Sequence, residues 1–143
     1  MALLEVEDLK VHYPVRGGLF RPKRFVRAVD GVSFRMEPGE TVGLVGESGC
    51  GKSTLGKALV RLEKPAAGRV LLNGLDMSTL RGRELRRARK NFQMIFQDPY
   101  GSLNPRLTVF SALDEVLALH FPLTKAERRE RAAKLLDRVG LSA

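Results

Sequence analysis

The segment Gly46-Glu47-Ser48-Gly49-Cys50-Gly51-Lys52-Ser53 limits what this chain can fold into more than any other stretch. It satisfies G-x-x-x-x-G-K-[ST] in full. Directly before it runs Thr41-Val42-Gly43-Leu44-Val45, and after it Leu55, Ala58, Leu59 and Leu62 recur at helical spacing. A short run that is apolar throughout predicts a strand buried on both faces of a sheet. The chain must then pass from strand to helix through glycines, which allow backbone angles and approaches that a Cβ would block. Successive N–H groups in such a loop converge on phosphate oxygens, at the positive end of the following helix. A turn that merely joined strand to helix would explain the glycines but not Lys52, a cation where the helix dipole disfavours one. In this reading Lys52 reaches the β- and γ-phosphates of a nucleotide, Ser53 offers its hydroxyl to Mg²⁺, and Thr54 touches the α-phosphate.

The rest of the chain fits one domain rather than two, since 143 residues suffice for a single core. Apolar residues make up 43%, which argues against a disordered chain. No uninterrupted apolar run approaches the about 18 residues of a membrane span. The N-terminus lacks a basic region followed by an apolar one, so a cytosolic location is expected. Cys50 is the only cysteine and reads as a small residue in a tight turn. His12 and His120 stand alone in unrelated contexts, without metal-ligand spacing. The formal charge of +9 is densest from Arg81 to Lys90. That run has no aromatic residue to stack on bases and is interrupted by Glu84, so it reads as a solvated helix face and no nucleic-acid partner is expected.

Around the loop, Leu4, Val6, Leu9 and Val11 predict a first strand, and Val26 to Arg35 a second. Pro14 to Lys23 reads as a loop, and Pro65 is expected to stop the helix that follows Lys52. Val70-Leu71-Leu72 predicts a strand entering a turn at Asn73-Gly74. A helix is expected over 83–90, a short apolar strand over 92–96, and a loop from Pro99 to Pro105. Two helices follow, one from about Thr108 and one opening on the capping box Thr124-x-x-Glu127 and ending near Gly140.

Several blocks together resemble the ATPase of ABC transporters. Val45 to Leu55 is similar to the family's Walker A segment, and 28–34 and 38–41 to the strands before it. Gln93-Met94-Ile95-Phe96-Gln97-Asp98-Pro99 resembles the Q-loop, and Tyr100-Gly101-Ser102-Leu103-Asn104-Pro105-Arg106 is similar to the second ATPase subunit of oligopeptide and dipeptide permeases. The resemblance implies an α/β P-loop NTPase of ABC type. Residues 1–143 would form the N-terminal part of one nucleotide-binding domain, with the Q-loop and the start of the helical subdomain at about 98–143.

The resemblance also implies site residues. Gly46, Ser48, Gly49, Cys50, Gly51, Lys52, Ser53 and Thr54 would hold ATP. Ser53 and Gln97 would hold Mg²⁺, with Lys52 and Gln97 serving catalysis. An aromatic ring would stack on adenine, either Tyr13 or Phe25. The implied partners are integral membrane permease subunits, a second ABC ATPase subunit in a homo- or heterodimer, and indirectly a peptide-binding protein. The chain would work at the inner face of the cytoplasmic membrane, energising import of peptides, or of nickel or another small solute.

The family's signature and Walker B segments are not in these residues, so the chain reads as part of a domain, marginally stable and not by itself competent in hydrolysis. Val109 to Glu115 superficially resembles an apolar run into Asp-Glu, but its pattern continues helically through Val116, Leu117 and Leu119. A nucleotide-holding piece without hydrolysis is therefore the alternative.

Overall fold

The computed structural model describes residues 2–15, 24–98 and 101–141. The readings for Arg16 to Lys23 and for Pro99 and Tyr100 lie outside the described residues. Two compact units result, Met1–Met94 and Ile95–Ala143.

The first unit carries β1 (Leu4–Val15), β2 (Arg24–Met36), α1 (Lys52–Leu59), β3 (Ala67–Leu72), β4 (Leu75–Asp76) and α2 (Gly82–Ala88), with a 3-10 turn at Arg89–Asn91. The strands form one sheet in the order β2-β1-β3-β4, and every described pairing is antiparallel. In β1 the buried positions run Val6, Leu9, Val11, a spacing that breaks strict alternation. The cause is an irregularity at 7–8, where Asp8 takes φ 43° and its N–H donates to Ser33 Oγ at 2.8 Å. It restores the inward direction at Leu9, so one face stays apolar along the strand. The other face carries ion pairs across the ladders, Glu5 with Arg35 and Glu7 with Arg69. Leu55 and Ala58 of α1 and Ala88 of α2 join Val6, Leu9, Val11, Val29, Val70 and Met77 in the core.

Two expected strands do not form. Residues 41–45 and 92–96 carry no strand pairing, and Val45 is 92% and Ile95 95% exposed. A strand exists only through hydrogen bonds to a neighbour, and among the described residues no strand pairs with either segment. The helix after the loop also ends before the proline expected to stop it. Arg61 adopts φ 54°, its N–H bonds Ala58 O at 3.0 Å, and Leu62 N–H bonds Lys57 O at 2.9 Å. These are the two bonds of a Schellman turn. The Arg61 side chain holds the turn in place by donating to Met77 O at 2.9 Å. The tight turn after β3 is as expected, with Asn73 and Gly74 both at positive φ.

The second unit is a helical hairpin of α3 (Val109–His120) and α4 (Lys125–Asp137). Thr108 caps α3 by accepting from Ser111 N–H, and Thr124 with Glu127 forms the complete capping box of α4. Leu141 N–H to Leu136 O and Gly140 N–H to Asp137 O, 3.0 and 3.1 Å, close α4 as a Schellman turn. Leu117 and Ala132 are the buried residues of the two helices, and Arg128 Nε donates to Asp114 Oδ1 at 2.7 Å.

Candidate phosphate-binding loop

The loop is held at its C-terminal end by α1. Leu55 N–H bonds Gly51 O at 2.8 Å to start the helix, and Leu55 and Ala58 bury against the β1–β2 face. Gly51 is the N-cap, at φ 98°, and no side chain caps the helix. The first N–H groups of an uncapped helix need an acceptor from elsewhere, which is the property of an anion site. Gly49 also lies at positive φ, 82°, a region that other residues enter only with strain. A Cβ on Gly46 would meet Cys50 Sγ at 2.7 Å, so the Cys50 side chain fills the bend of the loop as a small residue.

Lys52 turns back over its own loop. Its Nζ donates to Gly46 O and to Glu47 O, both at 2.6 Å, and lies 3.7 Å from Cys50 Sγ. The ammonium is thereby held on the same loop that ends in the uncapped helix, adding its charge to the positive end of the helix dipole. Ser53 is exposed and Thr54 half-buried in the first turn of α1. Gly46, Ser48, Gly49, Cys50, Gly51, Lys52, Ser53 and Thr54 thus all lie within one short stretch of the first unit.

The aromatic candidates separate cleanly. Tyr13 pairs with Val26, and Phe25 pairs with Pro14. Alternation places Tyr13 on the face of Val11 and Val29, where α1 packs, and Phe25 on the opposite face. The opposite face carries His12, whose Nε2 lies 3.4 Å from Asp30 Oδ1. That hydrogen bond and the nearby Arg27 guanidinium hold the Asp30 carboxyl below its ordinary value. Gln97 lies in the second unit and is exposed. Asp114 is engaged with Arg128 inside the hairpin, so its carboxylate belongs to helix packing, while Glu115 is exposed. No group of three or more His, Cys, Asp or Glu that could hold a metal occurs among the described residues. Sequence reasoning placed Ala28 and Val29 in a strand but gave them no role at the loop, although both lie against Gly51; a strand residue beside a loop leaves no pattern to read.

Residues 29–143 match the ABC transporter family. The chain belongs to the ABC transporter family. Over 97% of its length it is 52% identical to the oligopeptide transport ATP-binding protein AppF of Bacillus subtilis (strain 168), of which it covers 43%. It is 48% identical to the dipeptide transport ATP-binding protein DppF of Escherichia coli (strain K12), again over 97% of this chain and covering 42% of that protein. This ABC chain thus spans less than half the length of the curated relatives it matches. Among solved structures it is similar, at TM-score 0.76 and 26% identity, to the ATP-binding cassette MJ0796 in a post-hydrolysis state bound to ADP and Pi. That match covers 97% of this chain and 58% of the cassette. The α/β ABC fold expected from the sequence therefore holds, as part of a cassette. No helix of the described residues is long and apolar enough to cross a membrane.

Proposed function

We propose that the chain is the phosphate-gripping front of an ATPase subunit that energises import of oligopeptides or dipeptides. The observation that carries this reading is the Lys52 ammonium, folded over a glycine loop that ends in an uncapped helix. ATP enters with its phosphates against the loop amides. Lys52 gives up its contact with Cys50 Sγ and one of its two carbonyl bonds for the β- and γ-oxygens, and Thr54 meets the α-phosphate. The Ser53 hydroxyl, exposed at the first turn of α1, suits a hard cation such as Mg²⁺, and the neutral amide oxygen of Gln97 is a ligand type that such a cation also favours. A bound cation of this kind neutralises charge on the transferring phosphoryl group. The Tyr13 ring, on the α1 side of the sheet, stacks on adenine.

The peptide assignment rests on the names of AppF and DppF and on the Tyr100 to Arg106 segment of the sequence. It brings with it permease subunits, a second ATPase subunit, indirectly a peptide-binding protein, and a place at the inner face of the cytoplasmic membrane. A second reading, nucleotide binding without hydrolysis by these residues alone, is favoured by the engagement of Asp114 with Arg128, which withdraws the aspartate of the sequence's one Asp-Glu pair from base chemistry.

Titration of the chain with a fluorescent ATP analogue and Mg²⁺, beside Lys52→Ala, tests the core of the proposal while phosphate release is followed in parallel. Lys52-dependent binding supports it. A folded chain that binds equally well without Lys52 would sink it, and Lys52-dependent release would remove the second reading.

A further inference from the structure

The β1–β2 ladder slips by one residue between the pairs Val11–Val29 and His12–Arg27, leaving Ala28 with no opposite number on β1. This bulge lies directly under the phosphate loop. A Cβ on Gly51 would fall onto the Ala28 carbonyl oxygen, 3.2 Å from its carbonyl carbon and 3.8 Å from Val29 Cγ2. Gly51 in turn stands immediately before Lys52, and its own carbonyl starts α1. In a regular ladder the strand's peptides lie in the plane of the sheet, whereas an extra residue tips its peptide out of that plane and bends the strand. The Ala28 carbonyl therefore reaches the one loop residue whose position sets the direction of Lys52 and Ser53.

We infer that the Ala28 bulge is a positioning device for the nucleotide site: its backbone, backed by the buried Val29, seats Gly51 and so fixes where Lys52 and Ser53 meet phosphate. The inference rests on the reading of the loop as a nucleotide site. The acting group is a backbone carbonyl, so the side chain at 28 is nearly free to change while the extra residue is not. Its loss is also separable from loss of the sheet. Removing Ala28 leaves Val29 opposite Val11 and Arg27 opposite His12, so each remaining residue keeps its partner and its face.

The test compares the chain with a deletion of Ala28 and with Ala28→Ser in equilibrium titration with a fluorescent Mg·ATP analogue, alongside thermal unfolding of the nucleotide-free proteins. The deletion is expected to weaken binding at least about tenfold, and Ala28→Ser to stay within about twofold, with nucleotide-free unfolding midpoints close together. A folded deletion variant that binds as tightly as the parent overturns the inference, as does Ala28→Ser weakening binding as much as the deletion. Should the deletion variant fail to fold, hydrogen exchange on the unaltered chain decides. Nucleotide should slow exchange at 27–30 together with 46–53, and a response confined to the loop overturns the inference. Lys52→Ala in the same assay reports on the nucleotide site itself, so failure of that reading is seen separately.

Discussion

Tyr13 and Phe25 stand on opposite faces of one two-stranded ladder, Tyr13 across from Val26 and Phe25 across from Pro14. Both rings are substantially exposed, at 36% and 55%, so exposure does not separate them; the face does. Tyr13 shares its face with Val11, Val29 and α1, and therefore with the loop that α1 anchors. Stacking on a flat base is worth about 1 kcal/mol, roughly fivefold in affinity. Tyr13→Ala is expected to weaken binding of the fluorescent ATP analogue by that amount, while Phe25→Ala leaves the dissociation constant within the error of the titration. The reverse ranking would mean that the base lies across the other face of the sheet.

Lys52 makes its hydrogen bonds to carbonyls of a solvent-exposed loop, where water can replace the donor. Such bonds add about 1 kcal/mol or less to folding. Its charge, by contrast, is unreplaced once phosphate arrives, since charge-assisted bonds to phosphate are roughly twice as strong as neutral ones. Lys52→Ala is therefore expected to raise the dissociation constant at least about tenfold while shifting the unfolding midpoint of the nucleotide-free chain by only a few degrees. Calorimetry with and without nucleotide separates the two effects. A large loss of stability in the empty protein would show Lys52 to be a structural strut.

The phosphate loop was legible because its rule is local. The glycine positions, Lys52 and the helical spacing of Leu55, Ala58 and Leu59 all lie within one short window, and the structure keeps them together. The capping box of α4 was legible for the same reason. What failed were the strands at 41–45 and 92–96, because strand formation depends on a neighbour that no local pattern specifies. Val42 and Leu44 instead line an open apolar groove of about 500 Å³ with Phe34, Met36, Leu55 and Leu59. The helix stop at Arg61 was hidden differently. An arginine in the left-handed region leaves no signal until Met77 O and Leu80 O, well down the chain, are there to receive its guanidinium. The Ala28 bulge likewise depends on a pairing partner rather than on the residue itself.

Asp114 illustrates how a motif dissolves in three dimensions. In sequence it ends an apolar run as Asp-Glu, but in the hairpin its carboxylate accepts from Arg128 Nε at 2.7 Å while Arg128 Nη1 donates to Leu123 O at 3.2 Å. Asp114→Asn keeps one acceptor and loses the charge, and Arg128→Ala loses the whole strut. The expected cost is about 1 kcal/mol for the first and somewhat more for the second, read as lowered unfolding midpoints. Neither change should alter nucleotide affinity. An effect of Asp114→Asn on affinity or phosphate release without an effect on stability would return that carboxylate to the functional site.

Glu127 gives the hairpin a defined acid limit. The Thr124 hydroxyl donates to its carboxylate, and the Thr124 backbone N–H does the same, both at 2.7 Å, which holds its pKa below the ordinary 4.5. A carboxyl lowered on folding contributes stability that is fully present above its unfolded value and disappears as pH falls through the folded one. The capping contribution to α4 should therefore be intact at neutral pH and decline only below about 4.5, as protonation removes the charge that both Thr124 donors favour. Carbon-detected NMR titration of the Glu127 carboxyl, with amide exchange at Thr124 followed in parallel, reads both halves of the argument. Glu127→Gln retains an acceptor without a titrating charge, so its Thr124 amide should lose the acid-dependent opening. The same opening in the Gln variant would place the acid sensitivity elsewhere in the hairpin.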